Sequence, residues 1–383
     1  MRLASKLIHP PGGTCQHTGA VHVPIYETST FKQDAPGRNK GYDYSRTGNP
    51  TRDALETYIA HVESGRHGVS FSSGMAAITS CLMLLRAGDH LIATAGLYGG
   101  TYRLLTQVIE DFGIFSSFVD TGDLAAIEAA FTSSTKALLV ETPSNPLMRI
   151  SDIRAIAALA HRRGALLMVD NTFMSPWLQR PLELGADLVI ESATKFLNGH
   201  SDVLAGLVST NDDGLARRLK QIQNAVGAVP SPLDCWLLMR GMKTLAVRLS
   251  HEQASAGRIA EWLSRRPEVE RVLYPGLETF DGYEVHRAQA DGPGAVLSFV
   301  LGDGLNAGTF VSSVSVWTLA VSLGAVESII TQPSRMTHLS YPREELARLG
   351  LSDNLVRLSV GLEDPDDLIA DLETALDLTR KPG

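Results

Sequence analysis

Two short stretches carry side chains that could do covalent chemistry. Ala165-Leu166-Leu167-Met168-Val169 is an apolar run that stops on Asp170. Ala186-Asp187-Leu188-Val189-Ile190 is a second run, leading into Ser192, Thr194 and Lys195. Each reads as a buried strand that ends on a polar group. A carboxylate and an amine at the ends of nearby parallel strands would share one edge of a sheet, where open α/β proteins place ligands. An amine reacts in its neutral form, which a partly desolvated site favours. A buried carboxylate needs a cationic partner. The ordinary readings are a solvated surface lysine and an aspartate at a turn; the combination at two strand ends outweighs them.

On the chemical reading, Lys195 is a Schiff-base lysine and Asp170 the partner of a protonated ring nitrogen, the pair that pyridoxal 5'-phosphate requires. The phosphate would need amides and hydroxyls. Ser72-Ser73-Gly74-Met75 precedes an apolar helix over 76–85, whose start offers free N–H groups. Gly74 lets the backbone come close, and Ser192 and Thr194 add hydroxyls. Hydrogen bonds to a charged group contribute about 1.5–3 kcal/mol each, against about 0.3–1 kcal/mol for an exposed helix dipole, so the donors dominate. Tyr98, in the glycine-rich stretch Leu97-Tyr98-Gly99-Gly100-Thr101, reads either as a surface loop aromatic or as a ring stacked on a cofactor with its hydroxyl near the reacting bonds. Arg357 interrupts the apolar alternation over 355–360. Facing inward it needs an anion, such as a substrate carboxylate; on an edge strand it would point to solvent.

The elements that position these groups follow from periodicity. Residues 1–45 are rich in Gly, Pro, Thr and His and read as an extended arm that docks on a neighbouring subunit. Asn49 caps and Pro50 opens a helix carrying Leu55, Ile59 and Val62. Strand-like stretches at 91–93, 115–119 and 137–141 alternate with a helix over 124–131 and another capped by Ser151, running to Arg163 and ended by Gly164. Such alternation predicts an α/β fold with a mostly parallel sheet covered on both faces. The pattern changes near Cys235. A helix over 243–264, strands at 269–273, 295–301 and 355–360, and a last helix from Pro365 through Leu376 predict a smaller α/β domain. The expected organisation is an arm over 1–45, a large domain over 46–235 and a small domain over 236–383.

Composition bounds the function. The 383 residues suffice for two domains, and 44% apolar with 20% charged residues is ordinary for a globular protein. A net charge of -8 argues against a general nucleic-acid binder. Cys15, Cys81 and Cys235 are scattered, which fits neither a disulfide framework nor a metal site, and the eleven histidines show no ligand spacing. No run approaches the ~20 apolar residues of a membrane helix, and the N-terminus lacks a signal-peptide core, so a cytoplasmic enzyme is expected. There is no GxxxxGK[ST] loop, no GxGxxG after a strand and no HExxH helix.

The longer motifs resemble those of the cysteine/methionine-metabolism pyridoxal-phosphate enzymes, which include cystathionine γ-synthase, cystathionine γ-lyase, cystathionine β-lyase and methionine γ-lyase. The likeness runs from about Thr14 to Leu376. It rests on Tyr44-Ser45-Arg46-Thr47-Gly48-Asn49-Pro50-Thr51-Arg52, Val169-Asp170-Asn171-Thr172-Phe173, the stretch from Ser192 to Asp202, Met336-Thr337-His338 and Arg357-Leu358-Ser359-Val360-Gly361. The resemblance implies fold type I, the aspartate-aminotransferase-like fold, and a homotetramer of two tight dimers with shared active sites. It implies that Lys195 and Asp170 act as read above, and that Ser73, Gly74, Met75, Thr172, Ser192 and Thr194 help hold the cofactor. Tyr44 and Arg46 would reach the phosphate of the neighbouring subunit. Tyr98 would stack on the ring and donate a proton, with Asn145, Ser322 and Arg357 near the ring oxygen and the substrate carboxylate.

The implied activity is carbon–sulfur bond cleavage on a small sulfur amino acid: α,γ-elimination on methionine or cystathionine, giving 2-oxobutyrate, ammonia and a thiol. Val321 stands where many relatives carry an acid, which suits a small thioether; Gly100 stands where methionine γ-lyases often carry a cysteine, which argues the other way. The alternative is γ-replacement on an O-acylhomoserine, as in cystathionine γ-synthase. A non-catalytic pyridoxal-phosphate-binding regulator is the remote alternative, and no helix-turn-helix region precedes the fold.

Overall fold

The protein, described here over residues 1–379 by a computed structural model, is built on two sheets. The first has seven strands: β1 (His67–Phe71), β2 (His90–Thr94), β3 (Phe115–Val119), β4 (Thr135–Glu141), β5 (Leu166–Asp170), β6 (Leu188–Ser192) and β7 (Gly206–Thr210). They lie in the order β1-β7-β6-β5-β4-β2-β3. Strands β3, β2, β4, β5 and β6 run parallel, whereas β7 is antiparallel to both β6 and β1.

Alternation along the strands sends successive side chains to opposite faces. Leu139, Met168 and Ile190 pack on one side with Ala77, Ile78 and Leu82 of the helix Gly74–Leu82. Leu138, Val140, Leu167, Val169 and Val189 pack on the other with Ile153, Ile156 and Ala160 of the helix Ile153–Arg162. Because both faces are covered, the central strands are near-continuous apolar runs. Each fully buried aliphatic side chain contributes about 1.5–3 kcal/mol. The result is an α/β architecture on a mostly parallel sheet. Cys81 is wholly buried in the first of these cores.

The second sheet comprises β8 (Val269–Leu273), β9 (Val296–Leu301), β10 (Thr318–Leu319), β11 (Ile329–Thr331) and β12 (Leu355–Ser359), in the order β10-β11-β12-β9-β8. Leu297, Phe299, Val356 and Leu358 face Ile259 and Leu263 of the helix Leu245–Leu263 and Leu372 and Leu376 of the helix Pro365–Thr379. The alternate residues of β9 and β12 face the first sheet. On that side Ser298 donates to Pro146 O at 2.7 Å and Arg357 is 2% exposed. Strand β12 lies between β11 and β9, so the solvent-facing edge reading of Arg357 does not hold.

Several local expectations are corrected. Residues 3–8 of the arm form a helix, Leu3–Ile8, with Leu7 buried against the core. The cap of Ile153–Arg162 is Asp152, whose side chain accepts from Ala155 N at 3.0 Å; the Ser151 hydroxyl is engaged with Thr121 Oγ1 at 2.7 Å. Gly99 and Gly100 open the helix Gly99–Leu104 instead of lying in a loop. Strands β1 and β7 were not expected.

Candidate active site

The ends of β4, β5 and β6 bring Glu141, Asp170 and Ser192 to one edge of the first sheet, with Glu141 and Asp170 in register. Asp170 Oδ1 accepts from Thr172 N at 3.1 Å and Thr172 Oγ1 at 2.5 Å. No donor among the described residues bonds its Oδ2. Burial raises the Asp170 carboxyl above the usual range, and the two Thr172 bonds work against that shift. Thr172 Oγ1 also accepts from Ser192 N at 2.8 Å, so this hydroxyl ties the two strand ends together.

Lys195 follows β6 in a tightly held turn. Ala205 N donates to Thr194 Oγ1 at 3.1 Å, Gly199 N to Lys195 O at 2.8 Å, and Arg248 Nη2 to Phe196 O at 2.8 Å. The amine itself donates to Ser322 Oγ at 2.6 Å. Burial, with the Arg357 charge second, pulls Lys195 down to about 8, so a substantial neutral fraction exists near neutrality.

Ser322 sits at φ 100°, a left-handed conformation unfavourable for a side-chain-bearing residue. Its carbonyl accepts from Arg357 Nη2 at 2.6 Å, and Arg357 Nη1 donates to Asn145 Oδ1 at 2.9 Å. Arg357 Nε–H is buried without a partner. Asn145 O faces His338 Nε2 at 3.2 Å, while Thr337 Oγ1 lies 2.9 Å from Nδ1. Burial and the Arg357 charge hold His338 down to about 4, hence neutral. Val321, beside Ser322, is exposed.

The helix Gly74–Leu82 starts against β6. Ser73 Oγ caps Ala76 N at 3.1 Å, which leaves the Gly74 and Met75 amides without acceptors among the described residues. A Cβ on Gly74 would lie 2.8 Å from Ser192 Cβ, so glycine is what allows this helix start to approach that strand end. The Ser192 hydroxyl has no partner among the described residues. A Cβ on Gly100 would meet the Tyr98 ring at 2.5 Å and Met75 Sδ at 3.1 Å, which places Tyr98 beside the same helix start. Tyr44 and Arg46 bond to none of these groups: Arg46 Nη1 donates to Asn224 O at 2.8 Å, and Tyr44 is exposed.

Two features were not singled out in the sequence. Glu141 is buried at the strand position equivalent to Asp170, and that equivalence was the available signal. Behind Asp170, Asn171 Nδ2 donates to Glu191 Oε1 at 3.0 Å, and Glu191 lies beside the fully buried Glu63. Burial raises both carboxyls, and the Glu63 charge raises Glu191 further.

This donor set fits pyridoxal phosphate. Free amides at a helix start with the Ser192 hydroxyl suit a phosphate, Asp170 Oδ2 is open to a ring N–H, and a depressed amine suits an imine. Comparison with known proteins agrees. The family model described as Cys/Met metabolism PLP-dependent enzyme matches residues 4–377. A cystathionine gamma-lyase of Bacillus subtilis strain 168 is 48% identical over 98% of this chain and 100% of its own length. A cystathionine beta-lyase MetC of the same organism is 50% identical over 98% and 96%. The crystal structure of cystathionine gamma-lyase from Lactobacillus plantarum complexed with L-serine superposes with a TM-score of 0.98 at 47% identity, covering 99% of this chain and all of that one.

Proposed function

The chain belongs to the Cys/Met metabolism family of pyridoxal-phosphate-dependent enzymes, and on that premise we propose that it cleaves cystathionine or methionine by α,γ-elimination, releasing 2-oxobutyrate, ammonia and a thiol. Its relatives are carbon–sulfur lyases by name. The observation that carries the reading is the Lys195 amine held at 2.6 Å from Ser322, whose own carbonyl takes the Arg357 guanidinium. A proton-moving base and a carboxylate anchor thus meet on one residue.

Bound at this site, the cofactor supplies an electron sink for the pair left when the substrate's α-proton departs. The Gly74 and Met75 amides, with Ser192, would hold the phosphate, and Asp170 Oδ2 the ring N–H. Thr172 serves by fixing Asp170, Ser73 by shaping the helix start, and Thr194 by fixing the lysine turn. Lys195 takes the α-proton as a neutral amine and, once it has passed that proton on, removes a β-proton, whose electron pair expels the γ-sulfur. The Tyr98 hydroxyl protonates the departing sulfur. Arg357, steadied by Asn145, binds the α-carboxylate through its remaining N–H groups. The solved neighbour that holds L-serine supports a pocket for an α-amino acid.

The assembly is read as a homotetramer in the cytoplasm, with the arm over 1–45 bringing Tyr44 and Arg46 to a neighbouring subunit's phosphate. No helix among the described residues is long and apolar enough to cross a membrane.

A second reading has its own support: a relative 50% identical is named a cystathionine beta-lyase. One panel tests both. Cystathionine should yield 2-oxobutyrate and cysteine by γ-cleavage, and pyruvate and homocysteine by β-cleavage. Methionine, and O-acetylhomoserine with cysteine, complete the panel. Pyruvate as the main product, or cystathionine formed faster than it is cleaved, would overturn the proposal.

A further inference from the structure

Glu141 uses its two carboxylate oxygens separately. Oε2 accepts the Tyr98 N–H at 3.0 Å and Oε1 accepts the Asn145 N–H at 2.7 Å. These amides lie on two different segments, one opening the helix Gly99–Leu104 and one in the turn after β4. Its own N–H donates to Thr94 Oγ1 at 3.1 Å, which ties the group to the end of β2. From Asn145 the connection runs on through Oδ1 to Arg357. Burying a carboxylate next to Asp170 is unfavourable, and one that persists there is spent on defined partners.

We propose that Glu141 is a positioning residue for the reaction: it fixes the Tyr98 and Asn145 backbones relative to each other, so that the substrate's carboxylate meets an Arg357 already oriented by Asn145. Both oxygens are taken up by backbone N–H groups, so Glu141 acts through them and not on the substrate. The inference rests on the reading of Tyr98, Asn145 and Arg357 as substrate-side groups.

The test uses the holoenzyme and glycine, which carries the α-amine and α-carboxylate but no side chain to eliminate. Binding is titrated from the visible absorption of the bound cofactor. In Glu141→Gln one acceptor oxygen becomes an NH2 that cannot accept from a backbone N–H. In Glu141→Asp the carboxylate retreats by one methylene. Both variants should keep the cofactor absorbance and a cooperative melt, while the glycine Kd weakens roughly tenfold, about the worth of one hydrogen bond. A merely structural role would add independently to other changes. Here the Glu141→Gln effect should vanish in an Asn145→Ala background, where no side chain remains to orient. Glycine affinity within about twofold of wild type in the Asp variant, or a Gln effect undiminished in Asn145→Ala, overturns the proposal. Wild-type holoenzyme that holds its cofactor yet fails to bind glycine overturns the reading of the site itself, a result distinct from the other two.

Discussion

Lys195 Nζ donates to Ser322 Oγ at 2.6 Å although 127 residues separate them, and the acceptor is held at a left-handed φ of 100°. The bond parks the amine at the junction of the two sheets. With Lys195 lowered to about 8 by burial and Arg357, the reactive neutral form grows as pH rises toward that value and saturates above it. Uptake of pyridoxal phosphate by the apoprotein should therefore accelerate about tenfold per pH unit below about 8 and level off beyond. Stopped-flow absorbance measures this. A midpoint near that of free lysine would refute the effect of burial, and Lys195→Ala, the control, should show no covalent uptake at any pH.

Arg357 is wholly buried, with N–H groups given to Asn145, Ser322 and Thr331 and its Nε–H unpartnered. Lysine at this position keeps the charge and loses the fork. Arg357→Lys should raise KM by about 10²-fold through loss of charge-assisted hydrogen bonds worth about 1.5–3 kcal/mol each. Bound-cofactor absorbance should stay intact. Steady-state kinetics at fixed cofactor saturation checks it, and an unchanged KM with a reduced kcat would exclude a carboxylate-binding role.

Glu63 and Glu191 titrate high in the folded chain because burial disfavours their charge. In the unfolded chain they titrate near the ordinary ~4.3. The folded state thus binds more protons between that value and about 8, and stability falls as pH rises through this window. The limiting slope is about 1.4 kcal/mol per pH unit for one proton. In Glu191→Gln an amide N–H can donate to Glu63, so the slope should flatten. Melting temperatures from pH 5 to 8 for both proteins decide it; parallel curves would show that the pair does not hold a proton.

Val321 is 60% exposed and adjacent to Ser322. An acid there would attract the distal ammonium of cystathionine and have nothing to meet on methionine. Exposed ion pairs are worth about 0.2–1 kcal/mol, so Val321→Glu should shift the kcat/KM ratio toward cystathionine by roughly 2–5-fold. The shift should shrink at high salt. A ratio independent of both the substitution and salt would place the substrate's distal end elsewhere.

What could be read from the sequence follows from how each element is buried. Strands β4, β5 and β6 are covered on both faces, so their apolar runs announce them and end visibly on Glu141, Asp170 and the approach to Lys195. Strands β1 and β7, His-Gly-Val-Ser-Phe and Gly-Leu-Val-Ser-Thr, mix glycine and hydroxyl residues with the apolar ones and carry no strand signal of their own. Their pairing, not their composition, makes them strands. The Tyr98 stretch looked like a loop because paired glycines disfavour helix. A Cβ on Gly99 would lie 2.5 Å from Thr337 O, a tertiary restriction invisible in local sequence. The partnership of Lys195 with Ser322, and of Arg357 with Asn145, spans distant segments; only the family resemblance gathered those residues beforehand.

The two sheets are stitched together at their junction. Arg357 reaches Asn145, Ser298 reaches Pro146 O, Ser340 reaches Gly99 O and Tyr341 reaches Leu97 O, each at 2.7–2.9 Å. A hinge at this seam would have to break all four bonds at once, each contributing about 0.5–1.5 kcal/mol or more. The seam is therefore gripped from both sides, as in a vice. Val321 and Tyr98 stand half in solvent on the exposed side of this seam, so a change at either alters what meets the solvent without loosening the grip behind it.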